Sequence, residues 1–394
     1  MTGFPDGFPW GSATAAHQVE GGNVNNDWWD FEHDPATAAR ESSGDGIDHY
    51  HRYADDFALL ASLGHNAHRL SLEWSRIEPA PGEFSRAALA HYRRVLTALR
   101  DTGMTALVTL HHFTLPRWFA ARGGWLGPDA VATFTHYCAR VAAELGDLMP
   151  YVCTINEPQM VALHGYLEGY HPPGITNPVL WKRVGGVLTE AHLAAVHAVR
   201  AYAESRVGLA VQLPLLAPAR DDDACRELCR VMRHEIVDRH LDALSFPDGG
   251  DWLGVQYYRK QWVDPAVPTF FAPPPPGSQL TQMGWAVYPD GLRQMLHRAA
   301  RTGLPLIVSE NGIATTDDEE RVDYLTTHLA AVRQAIGEGV DVRGYLHWSA
   351  FDNFEWSEGY RPRFGLIAIG DDFTRTPKPS AYAFMKARTD GINA

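Results

Sequence analysis

Short apolar runs separated by stretches of helical periodicity recur along the whole chain. Residues 104–110 (MTALVTL), 207–212 (VGLAVQ), 251–258 (DWLGVQYY), 304–309 (LPLIVS) and 344–348 (GYLHW) read as buried strands, and 10–14, 66–71 and 151–155 as weaker ones. Between them, Leu89, Tyr92, Leu96 and Leu99 form one helical stripe, closed by Gly103. Val131, Phe134, Cys138, Val141 and Leu145 form a second, and Leu325, Leu329, Val332 and Ile336 a third, followed by Gly337 and Gly339. Mostly apolar strands alternating with helices predict a parallel sheet, and eight such units close into a (β/α)8 TIM barrel, a single α/β domain over residues 1–394. An open doubly wound sheet is the competitor, but no G-x-G-x-x-G follows the first strand. Residues 272–277 (APPPPG) predict a stiff, polyproline-like loop after the sixth strand.

Composition narrows the partners. With 34 Lys plus Arg against 47 Asp plus Glu, the formal charge is −13 and no basic block occurs, which argues against nucleic acid and anionic membranes. Cys138, Cys153, Cys225 and Cys229 make neither a disulfide framework nor a zinc motif, although Cys225 and Cys229 share a helix face. The N-terminus lacks the pattern of a signal peptide and no stretch approaches ~20 consecutive apolar residues, so the expected location is cytoplasmic. Oligomeric state is not legible. The pairs His65/His68 and His111/His112 invite a metal reading, but the other histidines are scattered, and neither a metal nor another cofactor is expected.

In a barrel the chemistry sits where the strands end at their C-terminal side. Gln18 and Glu20 follow the first run, the second carries Arg69, the third ends in His111-His112 and the fourth in Asn156-Glu157-Pro158. The sixth closes with Tyr257-Tyr258, the seventh with Ser309-Glu310-Asn311-Gly312 and the eighth with Trp348, while the fifth offers nothing obvious. Glu157 and Glu310 stand out, because carboxyls on well-separated strands can face each other across the mouth. Glycoside hydrolysis needs such a pair: one protonates the leaving oxygen while the other attacks the anomeric carbon or activates water. Pro158 disfavours helical backbone at Glu157 and is expected to hold it at a strand terminus.

At these residues the chain resembles a known family. TINEP (154–158) and VSENG (308–312) resemble the acid/base and nucleophile motifs of glycoside hydrolase family 1, the β-glucosidase family. The resemblance starts at FPWGSATAAHQVEGG (8–22) and runs through DHYHRYADDFALLASLGHNAHRLSLEWSRI (48–77) and LHHFTLPRWF (110–119). It ends with HWSAFDNFEWSEGYRPRFGL (347–366) and RTPKPSA (375–381).

The resemblance implies Glu310 as nucleophile and Glu157 as general acid/base of a retaining mechanism that needs no cofactor, with Arg69 and Tyr258 beside Glu310. It implies glycone recognition by Gln18, His112, Asn156, Trp348, Glu355 and Trp356. Retention of Glu355, which members acting on 6-phosphorylated sugars replace, points to unphosphorylated β-glycosides. Two positions depart from the pattern: Phe113 stands for the usual Trp and Gln256 for the usual Asn. The expected activity is that of a retaining exo-β-glycosidase, most simply a β-glucosidase acting on a small-molecule substrate. Transglycosylation on the same scaffold and a non-catalytic sugar-binding barrel remain as alternatives.

Overall fold

The computed structural model of the protein describes residues 4–5, 7–245 and 248–389. Eight parallel strands close into a barrel: β1 (Trp10–Ala13), β2 (Ala67–Ser71), β3 (Thr105–His111), β4 (Tyr151–Asn156), β5 (Arg206–Gln212), β6 (Trp252–Tyr257), β7 (Leu306–Asn311) and β8 (Val342–Trp348). Each strand pairs with its neighbours in sequence, and β8 closes on β1 through Trp10↔Tyr345 to Ala13↔Trp348. All eight predicted runs are therefore strands, with ends displaced by one or two residues. The largest displacement is at β7, which begins after Pro305, a residue with no N–H for the ladder, and extends to Asn311. Glu310 consequently lies within the strand instead of following it.

The three predicted stripes fall on the helices Arg86–Asp101, Ala130–Leu145 and Asp318–Gly337. Their apolar residues are buried against the outside of the barrel, with Val131 and Ile336 at the partly exposed margins. The first begins where the Ser85 side chain accepts the amide of Ala88, and the third where Asp317 accepts that of Glu319. Inside the barrel a smaller apolar layer, which includes Ala67, Leu107, Cys153, Ala210, Trp252, Ile307 and Leu346, fills the floor. The space above that layer is where polar side chains converge.

A small sheet flanks the mouth, in which Leu215–Pro218 runs parallel to Lys260–Val263 and Phe271–Ala272 antiparallel to it. The proline run leaves this sheet as a loop. Cys225 and Cys229 are buried on the helix Asp223–Arg233, and all four cysteines are free. Among the described residues no helix is long and apolar enough to cross a membrane.

Candidate active site

The carboxyl-bearing strands break their ladders just before the residues that matter. On β4, Cys153 pairs with Gly208 but Asn156 with Ala210, so three steps on β4 match two on β5. On β7, Val308 pairs with Val255 but Glu310 with Gln256, two steps against one. Each bulge adds one residue and reverses the inside–outside alternation. Cys153 and Ile307 belong to the inner layer, so regular strands would continue it with Ile155 and Ser309. Asn156 and Glu310 face the mouth instead. Glu157 follows in the left-handed region (φ 47°, ψ 60°), not in the extended conformation its position before proline predicts. That turn, held by the helix Pro158–Leu163 that starts on proline, lets two successive side chains enter one cavity. Phe113 (φ 71°) and Trp356 (φ 52°), on the same cavity wall, also adopt positive φ. Backbone of this kind costs about 1–3 kcal/mol per residue and persists where the surroundings over-determine it.

The cavity measures about 380 Å³ and is lined, among others, by His112, Asn156, Glu157, Tyr258, Glu310, Trp348, Glu355 and Trp356. Arg69 and Gln18, both fully buried, lie behind that wall. Arg69 forms an ion pair with Glu310 and donates to Asn156 Oδ1 at 2.6 Å. The Tyr258 hydroxyl donates to Glu310 Oε2 at 2.5 Å. Asn156 is also within 3.3 Å of His112 Nε2. Gln18 donates to the carbonyl of Phe354 (2.6 Å) and to Glu355 (3.3 Å), while its Oε1 has no partner among the described residues. The rings of Trp348 and Trp356 lie near-parallel to that of His112, each with centroids 6.0 Å away, and Trp28 packs behind Trp356 at 4.7 Å. All ten predicted site residues thus meet around one cavity.

Two carboxyls face different electrostatic surroundings. Burial lifts Glu157 well above the ordinary carboxylate range and the charge of Glu310 lifts it further, against a single donor, Gln212 Nε2 at 3.1 Å, and the more distant charge of Arg69. Burial raises Glu310 too, but Arg69 and Tyr258 pull it back. The proton of the pair therefore resides on Glu157 and the negative charge on Glu310. Glu355 is pushed up to about 8 by burial and by Glu310, so near neutrality it carries a proton and can donate a hydrogen bond. His112 is held neutral by burial and by the charge of Arg69.

Other strand-end residues belong elsewhere. Glu20 pairs with Arg76 (2.9 Å) and Tyr92. His111 packs edge-on against Trp125 and Phe134. Asn311 donates to Tyr257 O and Tyr324 Oη, which joins β7 to the helix layer. His65 and His68 reach the Leu60 carbonyl and Thr14 respectively. Gln256 donates to Asn156 Oδ1 at 2.8 Å, sharing that acceptor with Arg69. Phe113 packs against Trp356 at 5.0 Å. Sequence reasoning missed Gln212: the fifth strand does contribute, through its last residue, and the one available signal was a lone polar side chain ending an otherwise apolar run.

An enclosed pair of acids at the C-terminal mouth of a (β/α)8 barrel, only one of them supplied with cationic and hydroxyl partners, is the arrangement of a glycosidase. Residues 1–239 and 235–390 match the profile of glycosyl hydrolase family 1. The chain is 32% identical to beta-glucosidase A of Acetivibrio thermocellus and 35% identical to a bifunctional beta-D-glucosidase/beta-D-fucosidase of Bifidobacterium breve, each alignment covering 97% of both chains. Its fold is similar to that of a beta-glycosidase from Pyrococcus horikoshii, with a TM-score of 0.92 and 38% identity over 98% of this chain and 95% of the other. The chain belongs to glycosyl hydrolase family 1.

Proposed function

We propose that residues 1–394 act as one catalytic unit, a retaining exo-β-glycosidase whose simplest substrate is a terminal, unphosphorylated β-D-glucoside. The observation that carries this reading is the unequal pair: Glu310 is held ionised by Arg69 and Tyr258, and Glu157 is kept protonated by burial and by Glu310 itself. In the first step Glu310 attacks the anomeric carbon while Glu157 protonates the departing oxygen. The glycosyl bond then removes the charge of Glu310, so the pKa of Glu157 falls, and Glu157 takes a proton from the water that attacks the intermediate. Asn156, held by Arg69 and Gln256 through its oxygen and by His112 through one amide hydrogen, keeps its second N–H for the sugar 2-hydroxyl, a bond that strengthens in the oxocarbenium-like transition state. Trp348 and Trp356 offer ring faces to the pyranose, and Gln18 Oε1 and Glu355 offer an acceptor and a donor to its hydroxyls.

The presence of Glu355 in the cavity wall supports unphosphorylated sugars. Four free, buried cysteines suit a reducing compartment, in keeping with a cytoplasmic protein. The test is chemical rescue. With an aryl β-glucoside, Glu310→Ala is expected to be inactive and to form an α-glycosyl azide when azide is supplied, whereas Glu157→Ala is expected to give a β-glycosyl azide. The opposite stereochemistry in either variant overturns the assignment of roles, and full turnover by Glu310→Ala overturns the reading as a whole.

A further inference from the structure

The two fully buried arginines among the described residues have partners. Arg69 holds Glu310 and Asn156, and Arg321 bonds four backbone carbonyls besides Asp318. Arg76 pairs with Glu20, and Arg375 with Asp56. Arg259, directly after Tyr258, lines the catalytic cavity, yet among the described residues its side chain donates no hydrogen bond and no carboxylate lies within ion-pair distance. Its Nε is buried without a partner, and its guanidinium stacks on the Trp285 ring at 4.7 Å, which orients the plane. Burial draws its pKa below the ordinary arginine value, whereas Arg69 and Arg76 are raised by their carboxylates. Glu168 is already engaged by His164 at 2.6 Å and Glu157 holds its proton. A half-buried cation without a counter-ion gains when a ligand brings the anion and excludes the remaining water.

The neighbours of Arg259 indicate which part of the substrate is involved. Among the described residues no hydrogen bond, ion pair or ring contact joins Arg259 to Trp348, Gln18 or Glu355, which make the glycone floor, and it stacks instead on Trp285, on the part of the wall left to the leaving group. Trp285 stacks on it, and the same cavity is also lined by Tyr170, His171 and Met283, flat or polarisable surfaces suited to an aromatic ring. Resting on the β-glycosidase reading above, we infer that Arg259 is a specificity residue for anionic aglycones, pairing with a carboxylate carried by an aromatic leaving group stacked on this wall.

The test uses non-hydrolysable ligands, so that binding is read independently of turnover. Calorimetry compares meta- and para-carboxyphenyl 1-thio-β-D-glucosides with their methyl esters on the full-length protein, Arg259→Met and Arg259→Lys. The expected result is preferential binding of an acid over its ester by the natural protein. Arg259→Met should lower that preference roughly 10- to 100-fold, the usual range for a charge-assisted contact, and Arg259→Lys should restore part of it. An acid-to-ester ratio that is the same in Arg259→Met overturns the inference. So does an equal loss on both ligands, which would make Arg259 a positioning residue for Glu157, visible as a displaced basic limb of the pH profile on a neutral aryl glucoside. Failure of every ligand to bind would overturn the underlying glycoside reading instead, and the inference with it.

Discussion

Tyr258→Phe isolates one hydrogen bond at the centre of the site. The phenolic hydroxyl donates to Glu310 Oε2 at 2.5 Å, within the short range of O–H···O⁻ contacts. Phenylalanine keeps the ring against Trp285 and Phe364, at centroid distances of 5.5 and 6.1 Å, so packing is largely preserved. A hydrogen bond to a charged group contributes about 1.5–3 kcal/mol. It favours the ionised form of Glu310, so its loss raises the Glu310 pKa, by about 1–2 units at 1.36 kcal/mol per unit. Glu310 must be ionised to attack, so the acidic limb of kcat/KM should move to higher pH by that amount. Retained binding and a slower first step should lower kcat/KM on the plateau by about 10- to 100-fold. Glu157 keeps Gln212 and stays above Glu310, so the basic limb should move little. The assay is kcat/KM for a nitrophenyl β-glucoside from about pH 4 to 9 in both proteins. An acidic limb that stays in place while the basic limb moves would refute the assignment of the ionised partner.

Three further outcomes follow from the same geometry. Gln256→Asn shortens the amide that reaches Asn156 Oδ1 at 2.8 Å, so kcat/KM on aryl β-glucosides should drop by about 5- to 10-fold, one neutral hydrogen bond's worth; unchanged kinetics would show that the contact is idle. A Cβ at Gly312 would meet the Trp348 carbonyl oxygen at 1.8 Å, so Gly312→Ala has to push β7 and β8 apart beside the site. Its urea midpoint should correspond to a loss of about 2–4 kcal/mol, and a wild-type midpoint would contradict this. The third outcome concerns acid stability. Burial lowers His65 and His192 to about 4 and His111, His240, His328 and His347 to about 3. The unfolded chain protonates these near 6.5, so stability is full above that pH and falls as pH drops towards the folded values, by up to about 1.4 kcal/mol per unit for each histidine. Asp27 and Glu355, raised to about 8, act in the opposite sense and offset part of the loss. Urea midpoints should decline from pH 7 to 5, and His111→Phe, which removes a ring with no hydrogen-bond partner among the described residues, should flatten the decline. A midpoint that rises over this range would sink the argument.

Much of the fold was legible because it rests on short-range regularities. Apolar runs such as MTALVTL and PLIVS can be buried on both faces only in a parallel sheet, and stripes such as Leu89, Tyr92, Leu96 and Leu99 can be buried only on one side of a helix. The identity of the site residues was legible too, since residue type sets which groups can donate, accept or ionise, and TINEP and VSENG carry their glutamates at strand ends. What depended on the tertiary structure was direction and pairing. Strict alternation would point Ile155 and Ser309 into the mouth; the bulges on β4 and β7 put Asn156 and Glu310 there, and bulges arise from the mismatch between two neighbouring ladders, which one strand's sequence does not contain. Left-handed backbone at Glu157 depends on the helix that Pro158 starts and on the hydrogen bond that the Glu157 N–H donates to Ala210 O at 2.9 Å. Gln212 ends an otherwise apolar run, and nothing in the sequence singles out Arg259. Only closure of the barrel set the first against Glu157 and left the second half-buried, stacked and without a counter-ion among the described residues, because Coulomb and desolvation energies depend on distances between residues far apart in the chain.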